Sequence, residues 1–80
     1  MNTYTAIKIR LLKLCDEKGM SVHKLAIESA VRPSPIKNIL YGKSRNPGIV
    51  TLKMLCDGLG ITLTEFFSAP EFEHLEQEIQ

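Results

Sequence analysis

A compact all-α domain is what this sequence predicts, and three observations carry the expectation. Apolar residues recur at three- and four-residue spacing in successive segments, glycines and side-chain caps punctuate the boundaries between them, and no stretch alternates with the two-residue period of a strand. Eighty residues make one core and leave no room for a separate ligand domain. A chain of this size buries roughly 60% of the surface its unfolded form exposes. Apolar residues make up 44%, charged residues 24% and aromatics 6%, with no tryptophan, the composition of a small helical domain more than of a β-sandwich. No apolar run approaches the ~20 residues of a membrane span, and "MNTYTAIKIR" lacks the apolar stretch and cleavage site of a signal peptide. A cytoplasmic protein without a membrane partner is expected.

The first apolar series, Tyr4, Ile7, Leu11, Leu14 and Cys15, predicts an amphipathic helix over about 4–18, ended by Gly19. Ile9 and Leu12 fall off the stripe, so either the apolar face is wide or a second element covers them. Ser21 is an N-cap for a short helix in which Val22, Leu25, Ala26 and Ser29 share a face, while Ile27 points away. After a break at Ala30 and Val31, a third helix carries Ile36, Ile39 and Leu40 on one side and Ser34, Lys37, Asn38 and Tyr41 on the other. Its prolines mark a start, because first-turn amides have no intrahelical acceptor to lose. Ser34 precedes a proline and is biased away from helical geometry, so the start falls at Pro33, or at Pro35 with Ser34 as its cap.

"GKSRNPG" over 42–48 is a polar, basic loop. Beyond it, Ile49, Leu52, Leu55, Cys56 and Leu59 form the stripe of a fourth helix ended by Gly60. Thr62 and Glu65 form a capping box for a fifth helix with Leu63, Phe66 and Phe67 as core residues. "SAPE" over 68–71 repeats that device, and Phe72, Leu75 and Ile79 line a short, acidic helical tail. These apolar tail residues either fold back on their own chain or dock on a second copy. The expected organisation is a domain over 1–68 and a C-terminal extension over 69–80.

Cys15 and Cys56 stand 41 positions apart in helical segments, without the paired spacing of a zinc or redox motif, and read as buried thiols. His23 and His74 are equally isolated. No metal, cofactor or enzymatic activity is expected from this pattern. The charge, in contrast, is unevenly spread. Residues 1–53 hold all ten Lys and Arg against three acids, a net of +7; residues 54–80 hold six acids and no Lys or Arg, a net of −6. A basic half beside an acidic tail is the arrangement of a nucleic-acid face with a repelling far side.

Two short helices joined by a tight turn and flanked by core helices outline a helix-turn-helix. At "KGMSVHKLA", "AVRPSPIKNILYGKS" and "TLKMLCDGLGITLTEFF" the sequence resembles the phage repressor and Cro family of DNA-binding domains, the xenobiotic-response-element class. With the first helix, the resemblance covers about residues 5–67 and implies a five-helix, lambda-repressor-like fold. It places Leu25 and Ala26 in the core of helix two, Val31 in the turn, and Ile36 and Ile39 beneath the recognition helix. In such domains the first two turns of that helix meet base edges in the major groove. The implied base contacts are Pro33, Ser34, Lys37 and Asn38, with Arg32 reaching a base or phosphate; lysine suits guanine O6 and N7, asparagine suits adenine. The implied backbone contacts are Ser21, Tyr41, Lys43, Ser44, Arg45 and Asn46.

Three positions depart from the family pattern. Ala30 stands where glycine is usual, so a left-handed turn there carries mild strain. Arg32 stands where a capping serine or threonine is common. A late helix-one arginine and its recognition-helix glutamate are replaced by Cys15 and Leu40, an exchange that is tolerable because both charges go together. The resemblance implies a sequence-specific regulator of transcription, a repressor, bound to double-stranded DNA with no small-molecule ligand; a homodimer is expected, with the acidic tail beyond the resemblance, through Phe72, Leu75 and Ile79, as its candidate dimer element. The alternative on the same fold is a protein-interaction module, antitoxin-like or regulator-binding, to which a near-neutral total charge is better suited.

Overall fold

The computed structural model describes residues 1–79. Five helices follow one another: α1 (Thr3–Glu17), α2 (Val22–Ser29), α3 (Pro33–Leu40), α4 (Ile49–Leu59) and α5 (Leu63–Phe67), with one 3-10 turn over Pro70–Phe72 and no strand among the described residues. Single side chains set several of the starts. Asn2 Oδ1 accepts the N–H of Thr5 at 2.8 Å and Ser21 Oγ that of Lys24 at 3.1 Å, each satisfying an amide the first turn leaves without a partner. The capping box at α5 forms as expected: Thr62 Oγ1 accepts from Glu65 N–H, and Glu65 Oε1 accepts from Thr62 N–H, both at 3.0 Å. The third helix begins at Pro33, which leaves Ser34 inside it and not at its cap.

One core binds the helices. Leu11, Leu25, Ile36, Ile39, Leu55, Cys56 and Phe66 are almost wholly covered, and Tyr4, Cys15, Met20 and Leu63 pack against them from the rim. The most extensive contact is between α2 and α4, and it is closest where Gly58 meets Ser29. A Cβ on Gly58 would lie 2.7 Å from Ser29 Cβ and 2.8 Å from its backbone nitrogen. Ser29 is itself buried and directs its hydroxyl onto the Leu25 carbonyl at 2.6 Å, so the helices close without leaving a polar group unmet.

Helix C-termini leave carbonyls that need donors, and α1 supplies several of them. At the end of α3, Lys37 O accepts from Tyr41 N–H, Asn38 O from Lys43 and Ser44 N–H, and Ile39 O from the phenol of Tyr4. At the end of α5, Arg10 Nε and Nη2 donate to the carbonyls of Phe66 and Glu65, both at 2.8 Å.

Several expectations need correction. Ile49 lies on the line of the α4 stripe but one turn beyond the core it runs along, and it is 58% exposed. Phe67 is only partly covered, at 38% exposure, and packs edge-on to Phe66 with ring centroids 5.0 Å apart. Leu12 is exposed and Ile9 half-buried, so that side of α1 is only partly covered. "SAPE" forms no capping box: the Ser68 hydroxyl donates back to Thr64 O, Glu71 accepts from Lys13 Nζ at 2.7 Å, and Ala69 leads the 3-10 turn. The tail is helical for that turn only. Its carboxylates have no lysine or arginine one helical turn away to pair with; Glu71 and Glu78 find partners on α1 and Glu76 on the Met1 ammonium, while Glu73 stays exposed. Glu76 N–H reaches Met1 O at 3.0 Å, and Thr3 Oγ1 donates to Glu78 Oε2 at 2.8 Å.

Three stability measurements follow from this packing. Gly58→Ala is expected to cost about 1–3 kcal/mol in urea denaturation, because the atoms in its way belong to the α2 backbone and not to a movable side-chain end; wild-type stability would contradict the close approach. Ala30→Gly is expected to stabilise by about 0.5–1 kcal/mol, since the left-handed penalty it removes outweighs the freedom it adds to the unfolded chain. Tyr4→Phe deletes the donor to Ile39 O and is expected to lose about 1 kcal/mol, with faster amide exchange at the end of α3.

Candidate nucleic-acid interface

The α2–α3 turn is three residues long. Ala30 adopts a left-handed conformation, φ 57° and ψ 28°, which realises the strain expected from alanine at this position. Val31 plugs the core at 8% exposure, and Arg32 takes the N-cap of α3 with extended backbone and no side-chain bond to the helix. From there the helix has two unlike sides. Ile36, Ile39 and Leu40 are buried, whereas Ser34, Lys37 and Asn38 are exposed, as is Tyr41 just past the helix end at 71%.

The prolines also edit the donors at this end. Neither Pro33 nor Pro35 carries an N–H, so Ser34 holds the one amide proton among the first three helical residues. A helix N-terminus that meets a phosphate ordinarily does so through several such amides. Here that capacity is reduced, and an unattached arginine stands in front of it. Arg32 is exposed and pairs with no carboxylate among the described residues.

Beyond α3 the basic loop folds back on the helix rather than trailing away. The amides of Lys43 and Ser44 both reach Asn38 O at 2.9 Å, with Gly42 in the left-handed region at φ 81°. The structure thereby brings Asn38 and Ser44 to one cleft of about 170 Å³, shared with Pro35, Pro47 and Thr51. The Arg45 guanidinium lies 6.0 Å from the Tyr4 ring centroid, within cation–π reach, and Asn46 beside it is exposed. Ser21 stands apart from these, at the start of α2. Its oxygen accepts from Lys24 N–H, which leaves its own hydroxyl proton available to an acceptor.

The cations divide by partner. Lys13, Lys24 and Lys53 pair with Glu71, Glu28 and Asp57, and Arg10 is spent on the carbonyls of α5. Among the described residues, six others meet no carboxylate within ion-pair distance, and four of them, Arg32, Lys37, Lys43 and Arg45, fall between residues 32 and 45. The loop and the outer face of α3 therefore hold positive charge that the fold does not use.

The remaining expected site residues lie elsewhere. Phe72 stacks near Phe66 and Phe67, with ring centroids at 6.1 and 5.0 Å, Leu75 is half-buried, and Ile79 is 76% exposed. Cys56 is buried and Cys15 half-buried, and burial pushes both thiols up. Leu40 is in the core and Cys15 packs against it, as two apolar replacements of a charged pair should. Among the described residues, His, Cys, Asp and Glu gather in no group of three able to hold a metal, and no helix is long and apolar enough to cross a membrane.

Sequence reading missed four residues that position this face. Asn2 had the signal of a cap residue ahead of an apolar series, and Gly58 that of a glycine inside a helical pattern. Tyr4 and Arg10 had none, because their partners are backbone carbonyls 35 and about 55 residues away.

Comparison with known proteins agrees with this geometry. Residues 10–71 match the Cro/C1-type HTH DNA-binding domain. Over 52 residues, 65% of the chain, the sequence is 40% identical to the HTH-type transcriptional regulator SlrR of Bacillus subtilis (strain 168); the match spans about a third of that protein, 34%. The fold is similar to the crystal structure of the prophage Lp1 protein 11, with a TM-score of 0.79 and 24% identity over 94% of this chain and 100% of that one. A match running from the middle of α1 to the turn beyond α5 takes in both helices of the α2–α3 pair and the core beneath them: the chain belongs to the Cro/C1-type helix-turn-helix DNA-binding domain family.

Proposed function

We propose that this protein is a sequence-specific, double-stranded DNA-binding regulator of transcription, a repressor that reads the major groove with α3 and acts in the cytoplasm. The observation that supports this most is the exposed face of α3 and its loop, where Arg32, Lys37, Lys43 and Arg45 have no carboxylate partner among the described residues. The relative SlrR is described as a transcriptional regulator, and this chain spans about a third of it. In this reading Arg32, Pro33, Ser34, Lys37 and Asn38 meet base edges, while Ser21, Tyr41, Lys43, Ser44, Arg45 and Asn46 hold the sugar-phosphate backbone.

One such module offers limited interface, so binding as a homodimer on two half-sites is the physical route to useful affinity. The extension over 69–80 is the proposed dimer element. Ile79 is its most exposed apolar side chain, with Leu75 and Phe72 behind it.

A second reading, a protein-interaction module on the same fold, is favoured by a shallow, mostly apolar groove in which Ala26, Ile27, Ala30, Val31 and Pro33 lie with His23 and Arg32, and in which Ile27 is 61% exposed. Gel shifts over a salt series separate the two. Duplex binding that weakens steeply with salt supports DNA reading, and absence of binding at about 50 mM salt favours the interaction module. Selection from a random duplex library should then return a defined half-site. Lys37→Ala with Asn38→Ala is expected to relax that preference, while Arg45→Ala weakens every duplex alike and lowers the salt slope by about one. Unchanged preference in the double mutant would remove α3 from the recognition role.

A further inference from the structure

The acidic tail ends beside the basic loop. A groove of about 510 Å³ separates the start of α1 from the segment before α4, and its walls include Thr3, Tyr4, Arg45, Asn46 and Glu78. Exposed charges that border one such groove without touching are screened from one another at physiological salt, where the Debye length is about 8 Å, and act on one another at low salt, where it reaches about 30 Å.

Glu78 is fixed there without being neutralised. Glu71 meets Lys13, and Glu76 meets the ammonium group of Met1 at 3.1 Å. Glu78 is held instead by the neutral hydroxyl of Thr3, at 2.8 Å, with the Glu76 amide on Met1 O steadying the chain two residues earlier. A hydroxyl donor brings no positive charge to the carboxylate it meets. Across the groove, Arg45 rests over the Tyr4 ring and also has no carboxylate within ion-pair distance among the described residues. Two opposite charges thus border one groove without closing into an ion pair.

We infer that the acidic tail is a built-in attenuator of DNA binding, in which Glu78, latched by Thr3, lowers the positive potential at Arg45 and opposes the approach of a phosphate. This rests on the DNA reading of Arg45 and adds its regulation. The tail sets a ceiling on affinity at low salt, and any event that frees it from Thr3 or removes its charge raises that ceiling. Glu73, exposed on the same tail, adds charge of the same sign.

The test uses the full chain and a duplex selected from a random pool. Glu78→Gln removes the charge yet keeps an oxygen for Thr3, and is expected to tighten binding about two- to fivefold at low salt. The gain should shrink as salt rises and disappear when Arg45→Ala is also present. Thr3→Val, which frees the tail but keeps its charge, should give a smaller gain. Equal affinity of Glu78→Gln and wild type at low salt would overturn the proposal, and so would an undiminished gain in the Arg45→Ala background, which would make the effect one of net charge. If the wild-type chain binds no duplex, the DNA reading fails by itself. The groove is then judged by the Arg45 Hε resonance of the free chain: a shift on Glu78→Gln upholds the charge coupling, and no shift refutes it.

Discussion

The direction of α3 depends on one left-handed residue. Ala30 turns the chain out of α2 at φ 57°, which drops Val31 into the core and delivers Arg32 in extended geometry to a helix whose first φ is already fixed by Pro33. Were that turn to relax, Ile36 and Ile39 would leave the core and the outer face of α3 would point elsewhere. Its strain is borne by the packing behind it. Ser29, the residue before Ala30, is pressed against Gly58 so closely that even a methyl group there would force the two helices to shift. A conformation that costs about 1–2 kcal/mol persists because its surroundings over-determine it.

The far end of α3 is fixed by different means. There the carbonyls of Lys37, Asn38 and Ile39 all find donors, three of them amides of the following chain, at Tyr41, Lys43 and Ser44, and the fourth the phenol of Tyr4 on α1. Rigid anchorage at both ends makes a helix of eight residues usable as a probe, since α3 is far too short to hold its shape alone. The side chains it displays are then free of structural duty. Surface pairs such as Lys24 with Glu28 contribute at most about 1 kcal/mol to folding, and Lys37 and Arg32 make no such pair among the described residues. Charge left over from folding is charge available to a ligand.

Much of this was legible in the chain because helices announce themselves locally. The caps at Ser21 and Thr62, the stop at Gly60 and the two-sided pattern of 33–41 each depend on residues within one turn, and each appears where the spacing puts it. What the spacing does not carry is where an element stops having a neighbour. Ile49 and Phe67 have the right periodicity and stand partly or largely in solvent, and "SAPE" has the letters of a capping box while its serine and glutamate bond elsewhere. The tail misleads for a related reason: its apolar period suggests a helix, but its acids lack lysine or arginine on their own segment, and Glu71, Glu76 and Glu78 bind to the N-terminal residue and α1. Tyr4, Arg10 and Glu78 act on partners far away in sequence, and only the folded chain brings them together.

The most direct measurement is a titration of a selected duplex into isotopically labelled chain, followed by NMR at every backbone amide and at the side chains of Arg32, Lys37, Asn38 and Arg45. If α3 and its loop read DNA, the largest changes fall at Ser21, between residues 32 and 41, and between 43 and 46, while α5 stays still. Changes confined to α5 and the tail, with the outer face of α3 undisturbed, would contradict it.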